Sequence, residues 1–541
     1  MNAIRYIRKV IRLLKEQNKP KGRGDGPDGE KKPQNLSRRL KRNIDAVTTE
    51  FGESCDLIVR EFSFGKEGDV KAALVFLDGM ADMSLINDDV IKPLMYDSRF
   101  FYPGKTLHIP NMDKIRDGLL SVGEVKTVRT LDEAAEACLS GDAVLLVDGF
   151  GEALGISARG WEKRAITEPN TETVVRGPRE GFTENLRTNT AMIRRKIQNP
   201  ALKIRTFIIG KQTRTRVNIL YIEGIANPAL IQEIERRLKN IGTDAILAAG
   251  YLEQYIEDAP FSVFQTIWYS EKPDAIAGKL LEGRAAIVVD GTPFVLSVPM
   301  LFIENFQTSE DYAIRSYYAT MLRLLRLLAF VITLLAPALY VSFTTFHQEL
   351  IPTSLLFTMA AASEGVPFPA VVEVSIMLVT FEIIREAGIR MPRPIGQAIS
   401  IVGALVMGQS AVQAGLVGAP VVIVVAITAV SSFVIPFTSD AVSLLRWFLM
   451  PLAAAMGSFG IILGALVILL HLASLKSFST NYLAPFAPFL PADLKDTAVR
   501  APLWSMRMRP RALKPQDMKR QDFKIPYDPV AGRGDNQGDK P

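Results

Sequence analysis

Two glutamates in the apolar C-terminal half of the chain carry the side chains best suited to handling an ion. Glu364 and Glu373 flank a break at 366–369, where Pro367 and Pro369 lack backbone N–H donors and interrupt a helix. The carbonyls that such a break frees need protein or water as partners, because lipid offers none. A carboxylate at bilayer depth costs on the order of 2.5 to 3.5 kcal/mol on insertion scales, so its presence there indicates a function. The four residues are therefore predicted to line or gate an ion path, unless the prolines mark a loop outside the bilayer with Glu364 at the headgroups.

Two glutamines further along the chain raise a related question. Gln409 and Gln413 are four residues apart and share one face of a predicted helix. Small residues recur at the same spacing beside them, at Ala411 and Gly415, and this pattern favours close helix packing. Lining of a pore by Gln409 and Gln413 is the alternative interpretation.

A loop in the N-terminal half, Arg176-Gly177-Pro178-Arg179, could present guanidinium groups to phosphates or to an acidic partner surface. Its arginines are few and have no interleaved aromatic residues, which argues against nucleic-acid binding. We predict that the loop transfers a signal between subdomains or subunits. The alternative is a plain connector, with Thr183 or Asn185 capping the helix that follows.

The residue types that hydrolytic or metal chemistry needs are scarce. The chain has 3 histidines and 2 cysteines, and Cys55 and Cys138 lie outside any Cys-x-x-Cys motif. A Walker loop, a nucleophile elbow and an HExxH string are all missing from the sequence. The sequence therefore predicts a protein that is not an enzyme and holds no metal or cofactor.

Uncharged stretches long enough to cross a bilayer dominate the second half of the chain. We predict membrane segments at about 327–346, 351–385 (broken), 395–414, 421–437 and 447–472. Arginines near 323, near 390 and in the tail all favour a cytoplasmic position. Counting the broken segment as one crossing gives five and leaves the tail outside, whereas counting it as two gives six and leaves the middle arginines outside.

The first half of the chain has the mixed charge and short apolar runs of a folded α/β or α+β region. Strands are predicted at 72–77, 143–147, 204–209, 217–222 and 286–289, and helices at 131–138, 184–197 and 228–239. Three apolar runs end in Asp-Gly, at Asp78, Asp148 and Asp290, which suggests an internal repeat. Apolar residues follow the last two pairs, so we predict β-hairpins there.

These patterns divide the chain into four parts. The expected parts are 1–42, a basic amphipathic segment and flexible linker; 43–309, a folded cytoplasmic region; 310–475, an all-α polytopic membrane domain; and 476–541, a basic flexible tail. The net charge of +6 is too small to indicate a polyanionic partner. The basic N-terminal segment lacks the apolar core of a signal peptide, which favours a cytoplasmic N-terminal region.

Longer strings of residues resemble the A-subunit family of spore germinant receptors, of the GerA type, over most of the chain. They include 159–162 and 164–166 (RGWE, RAI), 168–172 (EPNTE), 174–182 (VVRGPREGF), 223–227 (EGIAN), 281–284 and 290–293 (LEGR, DGTP), 310–312 (EDY), 347–349 (HQE), 366–369 (VPFP), 381–388 (FEIIREAG) and 396–403 (GQAISIVG).

This resemblance implies a protein of the inner membrane of the dormant spore, with a cytoplasmic N-terminal region of two α/β subdomains, expected at 43–160 and 161–309. It also implies a complex with a transporter-like B subunit and a lipoprotein C subunit, in which A subunits form a homo-oligomeric channel that passes cations when nutrient binds. The family contains a second kind of member, SpoVAF, that acts beside the dipicolinate channel. A secondary transporter is the other alternative, although inverted repeats that would favour it are not evident.

Overall fold

The computed structural model describes residues 34–65, 68–97, 112–160, 169, 171–390 and 408–522. Four predicted features lie wholly or partly outside them: the N-terminal basic segment with most of its linker, the 159–170 strings, the 395–414 membrane segment and the end of the tail.

The first subdomain is a five-stranded sheet with helical layers on both faces. Its strand order is β1-β2-β4-β5-β3, and all neighbours are antiparallel. Helices α1 and α3 pack on one face, and α2 packs on the other with the short helical turns of 83–97. Because both faces are covered, β2 and β4 are almost continuously apolar. The elements are α1 Leu40–Phe51, β1 Leu57–Phe64, β2 Val70–Leu77, α2 Asp113–Gly118, β3 Val125–Val128, α3 Leu131–Leu139, β4 Ala143–Val147 and β5 Ala153–Ile156.

The second subdomain repeats the same architecture. Its strand order is β6-β7-β9-β10-β8, again antiparallel throughout, which is the first order with every number raised by five. Helices α4 and α7 cover one face, and α5 and α6 cover the other. The elements are α4 Leu186–Lys196, β6 Leu202–Ile209, β7 Thr215–Ile222, α5 Pro228–Lys239, α6 Ala249–Ile256, β8 Trp268–Ser270, α7 Pro273–Leu281, β9 Ala285–Val289 and β10 Val295–Val298.

Matching contacts support the internal repeat that the Asp-Gly pairs suggested. Asp148 Oδ1 accepts a hydrogen bond from the first backbone N–H of α1, at Leu40, over 2.9 Å. Asp290 Oδ1 accepts the corresponding bond from Leu186, the first residue of α4, over 3.2 Å. The glycines that follow have φ of 91° and 86°, which other residues rarely adopt. Both predicted hairpins are confirmed, and their aspartates act as helix caps.

The predicted elements of this half agree with the structure. Each predicted strand lies within an observed one, two of the three helices begin where predicted, and the third begins two residues later. Because all strand pairs are antiparallel, the region is α+β, the second of the two classes that the sequence left open.

The remainder of the fold is helical. Two of the described helices, α8 and α13, are long and apolar enough to cross a membrane. The elements are α8 Ser316–Thr345, α9 Thr353–Ser363, α10 Ala370–Arg390, α11 Gly408–Gln413, α12 Ala419–Phe433 and α13 Ser439–Ser474.

Helix α13 folds back on itself at Gly457, whose φ of 61° and ψ of −139° are not helical. A side chain at Gly460 would collide with the carbonyl oxygen of Leu452, and one at Gly464 would lie 2.5 Å from a methyl carbon of Leu449. In a continuous helix these pairs would be about 12 Å and 22 Å apart. The stretch expected to be one membrane segment, 447–472, thus spans the turn between two antiparallel arms, 439–456 and 458–474.

Both ends of α13 lie against the second subdomain. Phe437, just before the helix, packs on the aromatic residues of β8 with ring centroids 6.1 and 6.4 Å away. His471, in its last turn, hydrogen-bonds Ser262 Oγ at 2.9 Å. The turn at Gly457 lies at the opposite end, next to Phe346 just after α8. We call the side against the second subdomain the near end, and the side of this turn the far end.

Helices α10 and α12 both run from the far end to the near end. Glu373, in the first turn of α10, accepts a hydrogen bond from Gly418, just before α12, so the two helices begin together. Further along the two helices, Phe381 and Phe433 make an edge-to-face contact with ring centroids 6.2 Å apart, so the helices lie side by side. Since α12 leads to Phe437 at the near end, both helices begin at the far end.

The segment after α13 differs from the flexible tail expected, because residues 476–522 pack against the second subdomain. Ser477 Oγ accepts from Met300 N at 2.9 Å and donates to the Thr266 carbonyl at 2.6 Å. Further along, Arg509 donates to the Leu281 carbonyl at 2.9 Å, and Tyr482 is buried. Composition alone predicted flexibility. The residues that hold the segment in place are widely spaced along it, and their partners lie far away in the sequence.

Candidate functional site

The predicted break in the apolar half is present, between the end of α9 at Ser363 and the start of α10 at Ala370. Glu364 stands at the C-terminal end of α9, with its side chain exposed. Pro367 and Pro369 are also exposed, and the carbonyl of Pro369 accepts from Val372 N at 2.8 Å to begin α10. The interruption of the helix is thus confirmed, whereas contact between these residues and an ion stays a prediction.

A second interruption, at 414–418, packs against the first. Gly415 has a φ of 64°, and a Cβ there would lie 3.2 Å from the carbonyl oxygen of Gly365. A Cβ at Gly418 would lie 3.5 Å from the carbonyl oxygen of Ala362. Two non-helical stretches therefore meet backbone to backbone at the far end, and the absence of side chains at the glycines permits this approach.

Glu373 is positioned differently from Glu364. Its side chain is 3% exposed, and Oε2 accepts from the backbone N–H of Gly418 at 2.7 Å. Gly418 precedes α12, so the carboxylate sits where the helix dipole favours negative charge. Glu373 thus joins α10 to α12, and Glu364 is the exposed carboxylate of the break.

The two candidate glutamines lie on the short helix α11, and both side chains are exposed. Gln413 is two residues before Gly415, so it lies beside the meeting point of the two breaks. Gln409 is one turn earlier, near Gly408, which approaches Val422 in the first turn of α12. The structure therefore brings Gln413 and the proline break to the same end of the molecule.

The exposed loop Arg176-Gly177-Pro178-Arg179 contacts the linker that leads into α8. The backbone N–H of Arg176 donates to Glu310 Oε1 at 3.3 Å, six residues before α8 begins. The loop continues into Glu180, which pairs with Arg195 and Lys196 at the end of α4 over 3.1 and 3.2 Å. Asn185 caps α4, as the connector interpretation predicted. The loop thus joins α4 to the entrance of the helical half.

Sequence reasoning missed an ion network at the entrance of α8. Arg323 Nε donates to Asp311 Oδ2 at 2.9 Å, and Arg323 also reaches Asp496 at 2.8 Å. The Tyr312 hydroxyl donates to Asp496 at 2.8 Å. The pKa of Asp496 is raised, because burial outweighs the opposite effect of the neighbouring Arg323. The 310–312 string with Asp311 and the arginine at 323 were both noted in the sequence, but Asp496 lies in the segment that composition had marked as flexible.

A second buried pair joins the two subdomains. Arg194 on α4 is fully buried and donates from two nitrogens to both carboxylate oxygens of Asp56, each at 3.0 Å. It also donates to the carbonyls of Asn199 and Leu202 at 3.2 and 2.9 Å. Such a bidentate geometry fixes the orientation of the guanidinium as well as its position.

Candidate metal ligands are dispersed in the part of the chain that the structure describes. No group of three or more His, Cys, Asp or Glu side chains is placed there to hold a metal ion. Cys138 is buried, and that burial raises the pKa of its thiol to about 12, so it is inert as a nucleophile. Cys55 is exposed and its hydroxyl neighbour, Thr206, hydrogen-bonds the sulfur at 2.9 Å.

Comparison with known proteins gives consistent matches. The family model for the Bacillus/Clostridium GerA spore germination protein matches residues 45–512. Spore germination protein KA of Bacillus subtilis (strain 168) is 45% identical over 93% of this chain and 92% of its own length. The uncharacterized membrane protein YfkQ of the same strain is 41% identical over 93% and 94%. Spore germination protein GerLA of Bacillus cereus is 38% identical over 87% and 95%.

One similar solved structure is the N-terminal domain of the A subunit of the Bacillus megaterium spore germinant receptor GerK3. It is 36% identical in sequence, with a TM-score of 0.41, and the match covers 50% of this chain and 99% of that one.

Proposed function

Because the chain belongs to the GerA family of spore germination proteins, we propose that it is the A subunit of a nutrient-sensing germinant receptor. In this proposal it resides in the inner membrane of the spore, with the N-terminal subdomains in the cytoplasm. Its partners are a transporter-like B subunit, a lipoprotein C subunit and further copies of itself. Its role is that of a ligand-gated ion channel subunit, which releases cations and so triggers germination.

The helix directions support a proposal of six membrane crossings. Helix α8 leads from the near end to the far end, and α10 returns. Arg390 ends α10 at the near end, and Gly408 begins α11 at the far end. The membrane segment that the sequence predicts at 395–414 is proposed as the third crossing. Helix α12 returns, and the two arms of α13 add one crossing in each direction. In this proposal the broken segment 351–385 counts as one crossing, and the last predicted segment, 447–472, belongs to two.

The charge distribution supports this count. With six crossings, Arg323, Arg385, Arg390 and the basic residues of 476–522 all lie at the near end, on the side of the N-terminal subdomains. Basic residues flanking membrane helices are concentrated on the cytoplasmic side. The proposed six crossings are therefore consistent with all three groups of basic residues on the cytoplasmic side.

The meeting of the two helix breaks at the far end carries the channel proposal. Broken helices that face each other within a membrane protein mark ion or substrate pathways, since their free backbone groups need water or protein. The exposed carboxylate of Glu364 at this point would attract cations. The contact between Arg176 and Glu310 supports a route by which a change in the subdomains reaches α8 and shifts the population of open channels.

The first prediction concerns Glu364→Gln, which preserves shape and removes the negative charge. We expect slower potassium release from spores after nutrient addition, with the variant present at normal abundance. Glu349→Gln is the matched control, because Glu349 is another exposed glutamate at the far end but lies outside the break. Release that is equally fast in both variants and in the parent protein would remove Glu364 from the ion path.

A further inference from the structure

One aromatic side chain of the second subdomain is fully exposed in a rigid setting. Phe261 stands at the tip of the loop between α6 and β8, and its neighbour Val263 is also exposed. Single exposed apolar residues are common on mobile loops, but this loop is anchored on both sides of its tip. The position of Phe261 is therefore fixed by the fold.

Three anchors hold the loop. Before the tip, Asp258 pairs with Arg237 at 2.6 Å and accepts from the backbone N–H of Phe478 at 2.5 Å. Directly after the tip, Ser262 Oγ hydrogen-bonds His471 at 2.9 Å. Phe264 is buried and packs near the His471 ring, with centroids 6.2 Å apart. All three anchors thus tie the loop to the end of the second arm of α13 or to the segment just after it.

The His471 anchor adjoins apolar side chains of the arm that face away from the protein. Leu469 and Leu470 immediately precede His471 on the arm, and both are more than half exposed. On the proposed membrane-spanning arrangement, on which this inference rests, these leucines face lipid where the arm leaves the bilayer. Phe261 then lies at the level of the headgroups, where aromatic side chains are enriched in membrane proteins.

We propose that the 259–263 loop inserts Phe261 into the cytoplasmic interface of the bilayer and so docks the second subdomain onto the lipid surface. The continuity with the exposed face of the arm favours lipid over a neighbouring protein chain as the occupant. The subdomain is then held to the membrane by a lipid contact, in addition to its two covalent connections to helices α8 and α13.

Fluorescence quenching by lipid tests this proposal in the full-length chain. A bimane label is placed at Phe261→Cys in a Cys55→Ser background, where the remaining Cys138 is buried and unreactive. The protein is reconstituted in vesicles of phosphatidylethanolamine and phosphatidylglycerol, with or without bromine on the acyl chains near the headgroup. Loss of fluorescence at position 261 in brominated vesicles is the expected result.

Two further label positions make the outcome decisive. Ile208→Cys is the matched control, because Ile208 is exposed near the end of β6 that points away from the helical half. The fluorescence of a label at position 208 should not be quenched. Leu470→Cys reports whether the arm itself lies in lipid. Quenching at 470 without quenching at 261 overturns the docking proposal, whereas no quenching at 470 overturns the membrane arrangement and the docking with it. Shielding of position 261 from both lipid and aqueous iodide would indicate a protein occupant and also overturn the proposal.

Discussion

The buried pair of Arg194 and Asp56 shows how much one side chain can determine. Arg194 lies on the helix of one subdomain and Asp56 lies in the other, and both are shielded from water. Removing one partner of such a pair leaves an uncompensated buried charge, which costs about 3 to 5 kcal/mol. Replacing both with apolar residues of similar volume avoids that cost.

We therefore predict that Arg194→Ala lowers the thermal stability of the N-terminal region strongly, whereas Arg194→Met with Asp56→Leu recovers most of the loss. Arg236→Ala serves as the control, since its pair with Glu233 is largely exposed and should contribute less than about 1 kcal/mol. Circular dichroism melting of the purified chain measures all three variants. An equal loss for the single and double variants would contradict the explanation by buried charge.

At the scale of elements, local patterns were sufficient wherever neighbouring residues determine the structure. Apolar runs ending in Asp-Gly predicted the strands and two hairpins, and the paired prolines predicted the break after α9. The turn within α13 was missed because no charge interrupts the sequence around Gly457, and the proline of this helix, Pro451, lies six residues before the turn. That turn depends on a close approach between arms, which glycine permits but composition does not reveal.

The turn gives a prediction for Gly460→Ala. The added methyl group would meet the Leu452 carbonyl, so the two arms must separate and lose contact area. We expect reduced abundance in membranes and a lower melting temperature in detergent. Gly278→Ala on α7 is the control, because that position has open space around it and alanine favours helix. A variant at 460 as stable as the parent chain would argue against close contact of the arms.

At the scale of the whole molecule, the arrangement of the helices could not be derived from the sequence. It depends on contacts between distant residues, such as His471 with Ser262 and Arg323 with Asp496. The roles of the candidate site residues could not be derived from the sequence either, because the sequence singled out Glu364 and Glu373 equally. The structure distinguishes the two, because Glu373 bonds the backbone of Gly418 and joins two helices, whereas Glu364 is exposed.

The six-crossing arrangement predicts which positions are reached from outside the cell membrane. Single cysteines at Glu349 and Met456, both at the far end, should react with an impermeant maleimide in intact cells that express the chain. Cysteines at Arg390 and Lys476 should react only after permeabilisation, in the same Cys55→Ser background. Labelling of position 476 in intact cells would instead require an odd number of crossings.

The return of the last arm to the second subdomain has a mechanical consequence. The proposed first and last membrane helices are both tied to the second subdomain. Arg326 of α8 donates to the Phe306 carbonyl at 3.0 Å, and at the other end Ser477 and His471 bond Thr266 and Ser262. Both ends of the helical half are thus connected to the same subdomain, so a tilt of the second subdomain must displace α8 and α13 together. Helices α9 to α12 lie between them in the chain, and we expect the freedom to slide or rotate to reside in these inner helices.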